Sequence, residues 1–222
     1  MGLNLQTVEA KHAEFADLFE EFVNTYLTTD EGRSHVAAYE GIRKQARENF
    51  DAIVRIAARG EDVGAGDAVI VRLLPYADTD TNREAGRWRH IAPAFISDVR
   101  VKYEASGWTQ AGDWPHVARA LFDFVRRCTE DPADLVPACA DFAASPYSKG
   151  FQTGTLTPIL NALRPDAFVL VNNKSRRVIN YFAGTNYSQN LTDYADINAT
   201  GHALLDALAD AMCKFDLPTA RR

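Results

Sequence analysis

The stretch "AVIVRLLPY", residues 68–76, decides the fold class of this chain. An apolar run this short, ended by Pro75, fits a buried strand or a short helix, because periodicity has too few positions to act on. The sequence on both sides is helical in pattern, and that context favours helix.

Upstream, Phe15, Leu18, Phe19, Phe22, Val23 and Tyr26 recur at helical spacing and form one apolar face, with Glu14, Asp17, Glu20 and Glu21 largely outside it. After the break "TTDEG", Tyr39, Ile42, Ala46, Phe50, Ile53 and Ala57 trace a second helix ending near Gly60. Two helices with so short a connection predict an antiparallel hairpin. Downstream, "YADTDTN" reads as a loop or capped turn, and "PAFISDVRVKYEASGW" as a helix closing at Gly107. The segment "GDWPHVARALFDFVRRC" reads as a helix with Asp113 at its N-cap and Pro115 in its first turn. Its face is Val117, Leu121, Phe124, Val125 and Cys128. Short helices are expected in "DPADLVPACADFAAS" and "LTPILNALRP". "DAFVLVNN" is extended, a small β element near 166–172, and "SRRVINYFAG" is a helix capped by Ser175 and stopped by Gly184. "TNYSQNLTDYADINATG" is a loop or broken helix, and "HALLDALADAMCKF" closes the chain as an amphipathic helix. The expected fold is mostly α, a multi-helix globular domain forming one unit over 1–222, with no internal repeat.

With 222 residues, 46% of them hydrophobic and 24% charged, the chain can bury a normal core. No apolar run approaches the roughly 20 residues that span a bilayer, and the N-terminus lacks the order of a signal peptide, so a cytoplasmic protein without membrane partners is expected. Cys128, Cys139 and Cys213 show no C-x-x-C spacing, and the five histidines form no metal-binding pattern; the thiols read as reduced and buried.

The net charge of −6 is unevenly spread. Residues 1–145 carry 16 Lys/Arg against 24 Asp/Glu, hence −8, and residues 146–222 carry 8 against 6, hence +2. An acidic helical part of about 1–145 is thus followed by a basic part of about 146–222. A polyanion would be steered to the latter, where 147–190 holds five cations and one acid, Asp166.

Nucleotide hydrolysis finds no support: no G-x-x-x-x-G-K-[ST] occurs, and "GAG" at 64–66 is an incomplete dinucleotide fingerprint. No G-x-S-x-G is present. Pro165-Asp166 followed by Asn172-Asn173-Lys174 is close to a P-D…[D/E]-x-K nuclease signature, with the amide of Asn172 where a metal-binding acid is needed. No catalytic residue, metal or cofactor is therefore assigned to this chain, and a divergent Mg²⁺-dependent nuclease ranks third among the functional readings. The first is contact with DNA. Lys149, Lys174, Arg176 and Arg177 can neutralise phosphates, Asn172, Asn173 and Asn180 can pair with adenine, and Tyr181, Tyr187 and Tyr194 can stack on bases. The amides opening the helix near Ser175 would favour a phosphate. A second basic group, Arg83, Arg87 and Arg89 with Trp88 and His90, could join them. For both groups the bland alternative is a solvated helix end with caps and core tyrosines. A second functional reading is a protein-interaction module whose acidic N-terminal part docks a partner.

Over roughly residues 40–210 the chain resembles the N-terminal regions of bacterial AAA+ ATPases or GTPases of the McrB type, the motor subunits of modification-dependent restriction systems. The matching residues are Leu163, Pro165 and Phe168, then Asn172 to Ser175, then Tyr194 and Asn198. The resemblance implies a DNA-binding specificity domain of a bacterial restriction or antiviral defence system, with an AAA+ motor and a nuclease as partners. The motor module is not in this sequence: the chain is an excised targeting domain or a free-standing relative. The DNA read would be modified or unmodified. A modified base could be flipped into an aromatic pocket lined by Trp88, Trp108, Trp114 or the tyrosines.

Overall fold

The computed structural model, which describes residues 2–215, resolves the segment 68–76 into helix and corner. Ala68–Leu73 is helical, Leu74 is extended, and Val69, Ile70, Leu73 and Leu74 are all buried. Pro75 follows because it cannot continue the backbone ladder. Tyr76 then makes single bridges to Arg89 and Phe95, the only β pairing among the described residues.

The described residues form eleven α-helices: α1 (Leu5–Phe22), α2 (Asp30–Ala58), α3 (Ala68–Leu73), α4 (Asp80–Glu84), α5 (Val99–Ala105), α6 (Trp114–Glu130), α7 (Leu135–Ala144), α8 (Thr153–Leu163), α9 (Asn173–Ala183), α10 (Tyr194–Ala207) and α11 (Ala209–Met212). The fold is all-α and multi-helical. No helix among the described residues is long and apolar enough to cross a membrane.

The main core is built around α6 and α8. Helix α6 buries Val117, Leu121, Phe124, Val125 and Cys128, the face its spacing predicts, and packs on α3, α7 and α8. Asp113 precedes it without making a side-chain cap bond. Helix α8 is buried almost all round, its threonines included. The same core takes in Ala46 and Ile53 from α2 and Tyr194 and Ile197 from α10, so both charge halves of the chain contribute to it. Cys128 and Cys139 lie inside it as free thiols, and burial pushes each up to about 12; Cys213 is exposed.

Three expectations are corrected. The first is the α1–α2 hairpin. A π-helical turn, Val23–Leu27, links the two, and the Tyr26 carbonyl lies so close to Gly32 that a Cβ there would collide with it. This tight corner sends α1 away from α2 and onto α9 and α11. Val8, Phe182, Leu204 and Leu208 form a separate small core there, with Phe15 edge-on to Phe182 at 5.2 Å. Much of the apolar face expected to be buried is not: Leu18 is 49% and Phe22 44% exposed.

The second is the β element at 166–172: residues 165–167 form a turn, and 168–172 run without regular structure and pair with no strand among the described residues. Its backbone groups are satisfied by side chains instead. Thr157 Oγ1 accepts from Val171 N and donates to Val171 O, Asn198 Oδ1 accepts from Val169 N, Tyr194 donates to Val169 O, and Asn161 donates to Phe168 O. Where such a segment is buried its polar groups need pairing, and helices α8 and α10 supply the partners a sheet would have given. "HALLDALADAMCKF" is also broken in two, α10 ending at Ala207 and α11 beginning at Ala209.

Candidate nucleic-acid interface

Helix α9 begins where the 168–172 segment ends, and Asn172, not Ser175, is its N-cap. Asn172 Oδ1 accepts from the amides of Lys174 and Ser175 at 2.8 and 3.0 Å, while Ser175 Oγ accepts from Asn172 N. Two of the amides that could have held a phosphate are therefore already taken. Gly184, at φ 67°, ends the helix in the left-handed conformation, which a glycine adopts without strain.

Beyond the cap, the expected DNA-contacting side chains separate into those tied down and those free. Arg176 donates to Tyr187 O at 2.8 Å and to Asn173 Oδ1 at 3.0 Å. Asn180 grips the loop after the helix, donating to Tyr187 O and accepting from Tyr187 N and Thr185 Oγ1. Tyr187 is buried against Thr200, and Tyr194 is wholly enclosed, its hydroxyl pushed well above the ordinary tyrosine range by desolvation. Tyr181 is exposed, but Glu14 accepts its hydroxyl and Lys11 Nζ sits 3.3 Å from the ring centre, so α1 covers it. Lys174, Arg177 and Lys149 are exposed and form no ion pair among the described residues. Lys149 stands apart, in the turn before α8.

The nuclease-like acid is also engaged. Asp166 takes a two-pronged bond from Arg164 at 2.9 and 3.1 Å, and that bond holds its carboxyl below the usual range. No group of three or more metal-ligating side chains occurs among the described residues.

The second basic group is neutralised locally. Arg83 bonds both oxygens of Asp78 at 2.9 Å and also reaches Asp80; Arg87 pairs with Asp98 at 3.0 Å and lies over the Tyr76 ring; Arg89 pairs with Asp78 at 2.8 Å. Arg87, Trp88, Arg89 and His90 instead form one wall of a groove of 760 Å³, with α2 as the opposite wall. Trp88 donates to Ile42 O across its base. Trp108 and Trp114 are elsewhere, on either side of Tyr103, so the three tryptophans line no common pocket. The groove was missed in the sequence because its α2 wall, from Ser34 to Asn49, consists apart from Ile42 of small and polar residues with no motif of their own.

The residues that carry the McrB-type resemblance have structural work in this fold. Phe168 is core, Asn172 and Ser175 form the capping box, and Tyr194 and Asn198 hold the 168–172 segment. No protein-family model, curated protein or solved structure matches the chain.

Proposed function

We propose that the chain is a non-catalytic DNA-binding module that meets the phosphate backbone with the first turns of α9. One observation carries this reading: Lys174 and Arg177 are exposed cations without a carboxylate partner among the described residues, in a stretch, 167–192, that contains no Asp or Glu. Elsewhere in this acidic protein Arg83, Arg87, Arg89, Arg100, Arg119 and Arg127 are each held by aspartate. Unpaired cations release counterions on meeting phosphate without first breaking an internal bond. Arg176 and Asn173 stiffen the turn that presents them. The resemblance supports a setting in a bacterial restriction or antiviral defence system, with the AAA+ motor and nuclease as separate parts. Phosphate contact positions a protein and carries little sequence information, so the target base is not assigned.

Fluorescence titration of duplex DNA with wild type and the K174A/R177A double variant tests the reading. Loss of binding at unchanged helicity and melting temperature is expected. Equal binding by the two proteins contradicts it.

A second reading, docking of a partner protein, is favoured by a ladder of rings along α1. It runs Phe182, Phe15, Phe19, Phe22, Tyr26 and His35, with neighbouring centroids 5.2 to 6.4 Å apart. The exposed Leu18 and Phe22 lie beside Asp17, Glu20 and Glu21, none of which forms an ion pair among the described residues. Retention of DNA binding in an L18S/F22S variant that loses a partner would assign assembly to this face.

A further inference from the structure

The 760 Å³ groove between α2 and residues 86–93 is of the size that takes small molecules. Its chemistry is set by which polar groups on its walls are still unsatisfied. Asp78, its only acid, is saturated: Arg83 binds both of its oxygens and Arg89 Nε takes one at 2.8 Å. The terminal nitrogens of Arg89 then have no hydrogen-bond acceptor among the described residues.

Of the two histidines on the walls, His90 is fixed as a donor. Ala92 N–H donates to His90 Nδ1 at 2.9 Å, so the neutral ring carries its proton on Nε2. The Tyr26 hydroxyl and His35 Nδ1 share a hydrogen bond; with the phenol as donor, the His35 proton lies on Nε2. No group among the described residues accepts from either Nε2, and both rings line the groove. The lining holds Arg87, Arg89 and Asp78 as its formal charges, hence +1, in a chain of −6. Ile42, Trp88, Ile91 and Pro93 add apolar surface beside the donors.

We propose that this groove binds a small organic oxyanion, a carboxylate or phosphate monoester on an apolar body. The oxyanion accepts from Arg89, His90 Nε2–H and His35 Nε2–H, and the body lies against Trp88 and Ile91. The site is independent of the DNA contact assigned to α9, and either can fail without the other.

The test uses the full chain with three probes: inorganic phosphate, phenyl phosphate and benzoate. Binding is followed by calorimetry and by the imidazole ¹⁵N signals of His35 and His90. Phenyl phosphate or benzoate is expected to bind at least about 10-fold more tightly than inorganic phosphate, the apolar body adding its burial, and to shift both histidines. The tighter of the two identifies the headgroup. Arg89→Gln should weaken binding by about 10-fold or more, the loss expected for a charge-assisted bond. Gly41→Leu should abolish it, because Gly41 lines the groove and a Cβ there meets no atom within 4 Å, so the larger side chain is accommodated at the groove's expense. The proposal is overturned by the absence of histidine shifts at about 10 mM probe, the weakest range in which a specific site is detectable. It is equally overturned if both variants bind as wild type, or if the shifts fall at Lys174 and Arg177 instead.

Discussion

His90 makes the fold sensitive to mild acid. Its ring sits between Trp88 and Tyr39, with centroids at 5.2 and 6.4 Å; burial foremost, and Arg43 nearby, hold its pKa at about 4 against an ordinary 6.5. Between those two values the unfolded chain takes up a proton that the folded chain refuses. Stability is therefore complete above the unfolded pKa and is lost as pH falls from 6.5 toward 4. Proton linkage over this shift gives a loss of about 2 kcal/mol between pH 7 and about pH 5, and about 3 kcal/mol by pH 4. His90→Asn retains an acceptor for Ala92 N–H and cannot titrate. Urea denaturation of both proteins at about pH 7 and pH 5 isolates the effect, because the paired carboxylates of Asp78 and Asp166 are held low and stay ionised at both. The variant should show a pH difference smaller by about 2 kcal/mol. An identical pH dependence in the two proteins would refute the reasoning, as would an NMR titration of His90 centred near 6.5.

Three further variants test the architecture. Thr157→Val keeps the side-chain shape and removes both bonds to Val171, and should cost about 1–3 kcal/mol in urea denaturation for leaving a buried amide unpaired. Asn172→Ala removes the cap of α9 and should cost about 1 kcal/mol, read as a lowered melting temperature. Leu18→Ser with Phe22→Ser, on the uncovered face of α1, should change stability by no more than about 0.5 kcal/mol per site, since neither side chain leaves a core.

What could be read in the sequence follows from the range over which each signal acts. The face of α6 was legible because Val117, Leu121, Phe124, Val125 and Cys128 are neighbours within one helix. The apolar face of α1 was equally visible as a pattern, but periodicity does not say what covers it; the answer depends on Phe182 and on the corner at Tyr26 and Gly32. Residues 166–172 look like a strand because their composition suits an extended backbone, whereas the groups that complete the bonding, Thr157, Tyr194 and Asn198, lie up to 29 positions away. In the candidate interface the cations were legible and their partners only in part. Arg83 meets Asp78 within five residues, a local pairing, but the engagement of Asn180 and Arg176 by Tyr187 required the course of the loop after α9. The groove needed α2 and residues 86–93 brought together from more than 35 positions apart, and no local pattern announces that.

The DNA reading rests on two free cations, and the salt dependence of binding counts them. Plotting the logarithm of the duplex-DNA association constant against that of salt concentration gives a slope of about −0.9 per phosphate neutralised. Wild type should show a clear negative slope, and K174A/R177A a slope shallower by about 2, one for each lost contact. Binding that is absent at low salt, or a slope that the double variant leaves unchanged, would contradict a DNA-facing α9.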